Sequence, residues 1–225
     1  MSDYRIAAMP PQVPAALIEN LSRVETATIG HTRQLGFMDR TIQSLLRGRR
    51  IAGTAVTLAS PGPDSTLLHH ALGLLRPGDV LVLDRLGDDR YACWGGGVTI
   101  AAQVAGAVGA ILDGPCTDRS EIEGMSFPLW CRGVSAVTAR QCNLGGTLNL
   151  PVTCSKVPVS AGDVILADES GVVVLTAAEA QAVADAALAR QDRGLVTEAR
   201  LRGGEKLGDI NGATSLVLAA LASRD

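Results

Sequence analysis

Trp94-Gly95-Gly96-Gly97-Val98-Thr99-Ile100-Ala101-Ala102-Gln103-Val104-Ala105-Gly106-Ala107-Val108-Gly109-Ala110-Ile111-Leu112-Asp113-Gly114-Pro115 is the stretch on which the fold turns. A glycine run opens an Ala/Val-rich helix, expected over roughly Val98 to Ala107. A strand follows at Ala110 to Leu112 and is stopped by Asp113-Gly114-Pro115. Val80 to Leu83, upstream, reads as a short buried strand. Together they give strand, loop, helix and strand, a βαβ-like unit. The loops at Gly95–Gly97 and Asp113–Arg119 are expected on one sheet edge, where sites in α/β folds form.

Outward from this unit the pattern stays α/β. Pro14 to Leu21 and Thr32 to Arg47 read as helices. Ile51 to Ala59 reads as a strand, stopped by Ser60-Pro61-Gly62-Pro63, and Thr66 to Leu75 as a helix halted by Pro77-Gly78. Pro151 to Thr153, Asp163 to Ala167 and Gly171 to Leu175 read as short strands. A helix begins at Thr176 and runs to about Arg190. Thr176 and Glu179 fit a capping box. A last amphipathic helix covers Ala213 to Ala222. The change near Thr176 suggests an α/β core over 1–175 and a helical extension over 176–225, packing on its own core or on a neighbouring subunit.

Composition narrows the class. The chain has 225 residues, 47% of them hydrophobic but only 3% aromatic, so its core rests on Val, Ile, Leu and Ala. Few aromatics and a net charge of −3, with dispersed positive charge, argue against a nucleic-acid surface. Arg47, Arg49 and Arg50 form the densest basic run and read as a solvated loop. The five cysteines include no CxxC pair, which points to a reducing compartment. Met1 to Pro11 lacks a signal-peptide pattern, and Val98 to Leu112 is too short and interrupted to span a bilayer. A cytoplasmic protein without membrane or nucleic-acid partners is expected.

Two constellations could carry chemistry. Gly95-Gly96-Gly97 at a helix start presents free N–H groups and the positive end of the helix dipole, which suits a carboxylate or phosphate; a tight turn against a strand is the alternative. Asp113-Gly114-Pro115-Cys116-Thr117-Asp118-Arg119 is a turn delivered by a strand. Asp113 reads as a turn stabiliser. One carboxylate with waters is enough for Mg²⁺, which dehydrates reluctantly. His31, His69 and His70 show no metal spacing. No Gly-rich nucleotide loop of the adenosyl-cofactor kind is seen.

Ala92-Cys93-Trp94-Gly95 through Gly106-Ala107-Val108-Gly109-Ala110-Ile111-Leu112-Asp113-Gly114 closely resembles the signature of the RraA-like family. So do Pro151-Val152 with Gly162-Asp163, and Ala167-Asp168-Glu169-Ser170-Gly171-Val172-Val173-Val174. The likeness runs from about Leu17 to Leu207. It implies a compact β/β/α sandwich of the swivelling-domain type, assembled as a homotrimer or homohexamer with sites between subunits. Some such proteins are class II aldolases acting on 4-hydroxy-4-methyl-2-oxoglutarate and similar 2-oxo acids, and many also decarboxylate oxaloacetate. The implied mechanism uses Mg²⁺ or Mn²⁺ as a Lewis acid on the enolate formed when the C–C bond breaks. By the same resemblance Asp118 matches the metal ligand, and the amides around Gly96 and Gly97, with Gly95, match the cradle of a small carboxylate substrate.

The resemblance also exposes departures. Thr117 stands where an Arg is expected, and Gly96 where an acidic residue is expected. Losing one charge-assisted hydrogen bond costs about 1.5–3 kcal/mol, roughly 10- to 150-fold in affinity. Losing a proton-transfer group costs about 10²- to 10⁴-fold in rate. Arg119, Lys156 and Arg132 are candidate substitutes for the Arg. Lys156, which falls where a glycine pair is usual, near the turn that follows a strand, is the sharper candidate; Arg119 lies one residue beyond the expected place, where a surface Arg is the alternative. Glu198 and Glu205 are acids that could cross to a neighbouring site. The expectation is a metal-dependent lyase, by retro-aldol cleavage or decarboxylation, acting on a small 2-oxo acid other than the standard one. One alternative is a non-catalytic regulator, since the family includes proteins that bind and inhibit RNase E. Another is a different enzyme with a reactive Lys156 or Cys116.

Overall fold

Val80-Leu81-Val82-Leu83 sends alternate side chains to opposite faces of a strand, and all four are buried, so this strand needs cover on both sides. The computed structural model describes residues 3–223 and shows what supplies that cover. The elements are β1 (Asp3–Ile6), α1 (Ala15–Ser22), α2 (Thr26–Gly30), β2 (Gln43–Ser44), β3 (Ile51–Ala59), α3 (Thr66–Leu72), β4 (Asp79–Asp84), α4 (Gly96–Val104), β5 (Gly109–Asp113), α5 (Arg119–Gly124), β6 (Leu129–Cys131), β7 (Gly145–Leu148), β8 (Val152–Cys154), β9 (Val157–Val159), β10 (Val164–Asp168), β11 (Gly171–Leu175), α6 (Ala180–Arg202), α7 (Leu207–Ile210) and α8 (Ala213–Ala222).

Strands β3, β4, β5 and β6 lie side by side, parallel and in chain order. Crossovers of one hand then place α3, α4 and α5 on the same face. Leu68 and Leu72 of α3, Ala102 of α4 and Ile122 of α5 pack there on Val56, Leu58, Leu81, Leu83, Ala110 and Leu112. The opposite face, with Ala55, Val80, Val82, Ile111 and Trp130, is covered by the β8–β9 hairpin and by β10–β11. These layers are the expected β/β/α sandwich. The outer edge of β3 is shared: β10 pairs with Ile51–Thr54, and β7 with Leu58–Ala59.

A third cluster joins α1, α2 and the first turns of α6 to β10 and β11. Ala180, Ala184 and Ala187 of α6 are buried in it. Glu179 accepts the Thr176 N–H at 2.8 Å, the carboxylate half of the capping box, and also pairs with Arg33 at 2.7 Å. Among the described residues beyond Arg190 no side chain is buried, and Leu216 of α8 is 74% exposed. Among the described residues no helix is long and apolar enough to cross a membrane.

The helix expected over Thr32 to Arg47 is absent. Gly36 has φ +88°, Phe37 and Met38 bond to the β11 strand, and Gln43–Ser44 pairs with β6. The apolar residues of this segment have helical spacing, but they fill the core from an irregular chain. The helices α2 and α5 replace none of the expected elements; both are too short to show a periodic pattern.

Candidate functional site

The carboxyl ends of β4, β5 and β6 bring two neighbouring clusters of polar side chains to one edge of the sheet. The first is built on Trp94, which is buried and stacks on Phe127 with ring centroids 5.8 Å apart. Its indole N–H donates to Thr99 Oγ1 at 2.9 Å, and the Thr99 hydroxyl donates to the Gly95 carbonyl. This fixes the turn into α4. The Thr117 N–H donates to the Trp94 carbonyl at 2.8 Å, so the turn after β5 lies directly on the turn before α4.

Asp118 sits on that second turn in left-handed conformation, φ +52°. Its Oδ2 accepts the Gly96 N–H at 3.0 Å, and its Oδ1 faces the Thr117 hydroxyl at 3.2 Å. The glycines leave room for the side-chain ends that approach here. A Cβ at Gly95 would overlap Asp118 Oδ2, and a Cβ at Gly96 would overlap Glu121 Oε2. The structure therefore brings Asp118, Thr117 and Gly95–Gly97 together. It adds Glu121, in the first turn of α5, which the sequence reading passed over. The Asp118-x-x-Glu121 spacing at a helix start was the available signal. The position-96 side chain is missing, and a carboxylate from α5 occupies the space.

The Gly96 N–H is therefore already bonded to Asp118. Gly97 is exposed, a Cβ there would meet nothing, and the N–H groups of the first helical turn have no intrahelical acceptor. Gly95 and Gly97 also line an apolar groove of about 740 Å³ between α3 and α4, with His69, Leu72, Val98 and Val104.

The second cluster gathers the other basic candidates. Arg132 pairs with Asp113 at 2.5 Å and reaches the Thr41 hydroxyl. Asp113 also accepts the Ser155 N–H at 2.6 Å, so it braces the β8–β9 turn rather than its own. Lys156, with φ +71°, pairs with Asp39 at 2.5 Å; the hydrogen bond from Lys156 holds the Asp39 carboxyl well below the usual range. Asp84 stands in register with Asp113, and burial pushes its pKa up. Arg119 lies on α5 beside Asp118, pairs with Glu123 at 2.8 Å and is 57% exposed. It lines a cavity of about 470 Å³ with Arg132, Cys131 and Thr41. Glu198 and Glu205 pair with Arg202 and Arg200 of their own chain. Cys116 is buried, and its hydrogen bond with Cys131, then burial, push its thiol pKa up, which disfavours it as a nucleophile towards a substrate in the candidate site.

Among the described residues no group of three or more His, Cys, Asp or Glu side chains is placed to hold a metal ion. The donors that do converge, the Asp118 and Glu121 carboxylates and the Thr117 hydroxyl, are all oxygens. They suit a hard cation that keeps part of its water shell.

Comparison with known proteins agrees with this architecture. A protein named "Putative 4-hydroxy-4-methyl-2-oxoglutarate aldolase" from Halalkalibacterium halodurans is 30% identical over 151 residues, 67% of this chain and 71% of the relative. The crystal structure of Streptomyces coelicolor RraAS2, described as an unusual member of the RNase ES inhibitor RraA protein family, is similar with a TM-score of 0.74 and 26% identity. That match covers 85% of this chain and 98% of the other. An uncharacterized protein from Pseudomonas syringae shares the fold, with a TM-score of 0.76 at 20% identity, over 89% of this chain and 98% of its own. The RraA-like family model, described as Aldolase/RraA, matches residues 21–174. The chain belongs to the RraA-like family.

Proposed function

We propose that this protein is a divalent-metal-dependent lyase that breaks a C–C bond next to the carbonyl of a small 2-oxo acid, by retro-aldol cleavage or decarboxylation. One observation carries the reading: two carboxylates, Asp118 and Glu121, converge on the N-terminus of α4, beside main-chain N–H groups suited to an anion. A carboxylate substrate is repelled from such a place unless a cation lies between the like charges. Aldolase names among relatives support the class of reaction.

Asp118, with Thr117 beside it, would hold the cation. Mg²⁺ or Mn²⁺ there supplies the Lewis acidity that carbanion chemistry of a 2-oxo acid requires. The free amides at Gly97 and the following residue hold the substrate carboxylate. Glu121 takes the place of the absent acid at position 96 and positions the water that carries the proton. Arg119, the basic group nearest along the chain to Asp118, supplies the charge that Thr117 lacks by turning away from Glu123. Lys156 is tied to Asp39, which makes it the weaker substitute. The exposed apolar face of α8 suits a homotrimer or homohexamer in which the extension lies on a neighbour.

The test is release of pyruvate from a panel of 2-oxo acids with and without Mg²⁺ or Mn²⁺. Cation-dependent release supports the reading. No release from any member, with a stable protein partner recovered instead, favours a non-catalytic regulator. That second reading draws on Thr117 at the Arg position and on the likeness to an RNase ES inhibitor family.

A further inference from the structure

We propose that Cys116 and Cys131 form a reversible dithiol–disulfide pair, a modification site for a small hydroperoxide. Their Sγ atoms are 3.7 Å apart, already in thiol hydrogen-bond contact. A disulfide needs about 2.05 Å, so a closing movement of less than about 2 Å suffices. The main chain holds their two segments side by side, with Cys116 bridged to Val134, three residues beyond Cys131. The Cys116 N–H donates to the Gly133 carbonyl at 2.9 Å, the Arg132 N–H to the Gly114 carbonyl at 3.0 Å, and the Ser135 N–H to the Cys116 carbonyl at 2.8 Å. The other three cysteines have no such arrangement: Cys93 and Cys154 are buried among apolar side chains in different clusters, and exposed Cys142 faces the Pro63 carbonyl.

Access is asymmetric. Both cysteines are buried, but Cys131 keeps 2% of its surface and lines the cavity of about 470 Å³ that also holds Arg119 and Arg132, whereas Cys116 has no exposed surface. Cys131 is therefore the sulfur that meets the oxidant. Its sulfur attacks one peroxide oxygen, the O–O bond breaks, and a sulfenic acid and one water form. The Cys116 sulfur then attacks that sulfenic sulfur, the S–O bond breaks, and a second water leaves with the thiol proton. Two thiols and one H₂O₂ give one disulfide and two waters. The two guanidinium groups favour the oxygen leaving with negative charge.

The link would be felt at the candidate site. Cys116 forms a bridge with Trp94, and the next residue donates to the Trp94 carbonyl. A shift of Cys116 on cross-linking is passed through Thr117 to the turn that carries Asp118. The cross-link itself does not depend on the lyase reading.

The experiment treats the full chain with H₂O₂, denatures it, alkylates free thiols and maps the peptides. A Cys142→Ala background removes the exposed thiol. Expected in the Cys142→Ala background is a fall from four free thiols to two, and in both chains a Cys116–Cys131 linked peptide that dithiothreitol fully reverses. Cys131→Ala should leave Cys116 reduced, and Cys116→Ala should leave a sulfenic acid at Cys131 that dimedone traps. Oxidation confined to Cys142, links to other cysteines, or irreversible oxidation of Cys131 without a link would each overturn the proposal. The map of the unmodified chain decides the matter even where a variant fails to fold.

Discussion

The Glu121 carboxylate lies in the volume that a side chain on Gly96 would fill. An acid lost from one loop is thus present in space, supplied by the first turn of the next helix. Glu121→Gln should lower the rate of pyruvate release by about 10²- to 10⁴-fold, with little change in KM. Because Glu121 is exposed, the variant should fold normally. Rates that match the unmodified protein at every pH would remove Glu121 from the mechanism.

Asp118 has two roles that one substitution separates. Asp118→Asn keeps an oxygen to accept the Gly96 N–H, so thermal stability should fall by no more than about 1 kcal/mol. It removes the charge that a cation needs, so Mn²⁺ affinity should drop by more than about tenfold. Titration calorimetry or the spin-resonance signal of free Mn²⁺ reads this directly. Unchanged Mn²⁺ affinity would move the cation elsewhere.

Arg119 and Lys156 can be ranked by the same assay. Arg119→Ala should raise KM by roughly 10- to 150-fold, the worth of one charge-assisted hydrogen bond. Lys156→Ala should leave KM within about twofold, since an exposed ion pair contributes little. The reverse ranking would show that the pair with Asp39 opens to admit substrate.

Asp64 gives a prediction about folding alone. Burial raises its pKa, but the Thr66 hydroxyl and the N–H groups of Leu144, Thr66 and Cys142 outweigh burial and bring it down to about 2. The folded state therefore takes up this proton less readily than the unfolded chain. The stability it contributes is intact above the ordinary aspartate range and is lost as pH falls towards about 2. Asp64→Ala should cost on the order of 3 kcal/mol near neutral pH, and its deficit against the unmodified protein should shrink in acid. Denaturant titrations at several pH values would show a constant deficit if this is wrong.

The parts of the fold legible in the sequence are those where apolar pattern and chain breakers agree. β3, β11 and α8 fall on the expected residues because each is an apolar-rich run bounded by Gly, Pro or polar residues. The Thr32–Arg47 segment misled because Met38, Ile42, Leu45 and Leu46 repeat at helical intervals while Gly36 and strand pairing fix an irregular path. At the candidate site, the meeting of the Gly95 turn with the Asp118 turn followed from the βαβ order. The position of Glu121 did not, since it depends on how α5 packs against α4 through the single buried residue Ile122. Nor did the pairing of Lys156 with Asp39, which depends on the path of the irregular segment after α2 and of the β8–β9 hairpin.

The last helix has a practical consequence. Leu216, Val217, Leu218 and Leu221 stand in water at the end of a long arm. If the tail lies on a neighbouring subunit, as proposed, the state of the protein will depend on how many copies share the solution. Specific activity measured at nanomolar protein need not match that at micromolar protein, and detergent or dilution should mimic the loss of a subunit. A Leu216→Asp variant that keeps its activity and particle mass at every concentration would show that this greasy strip has no occupant.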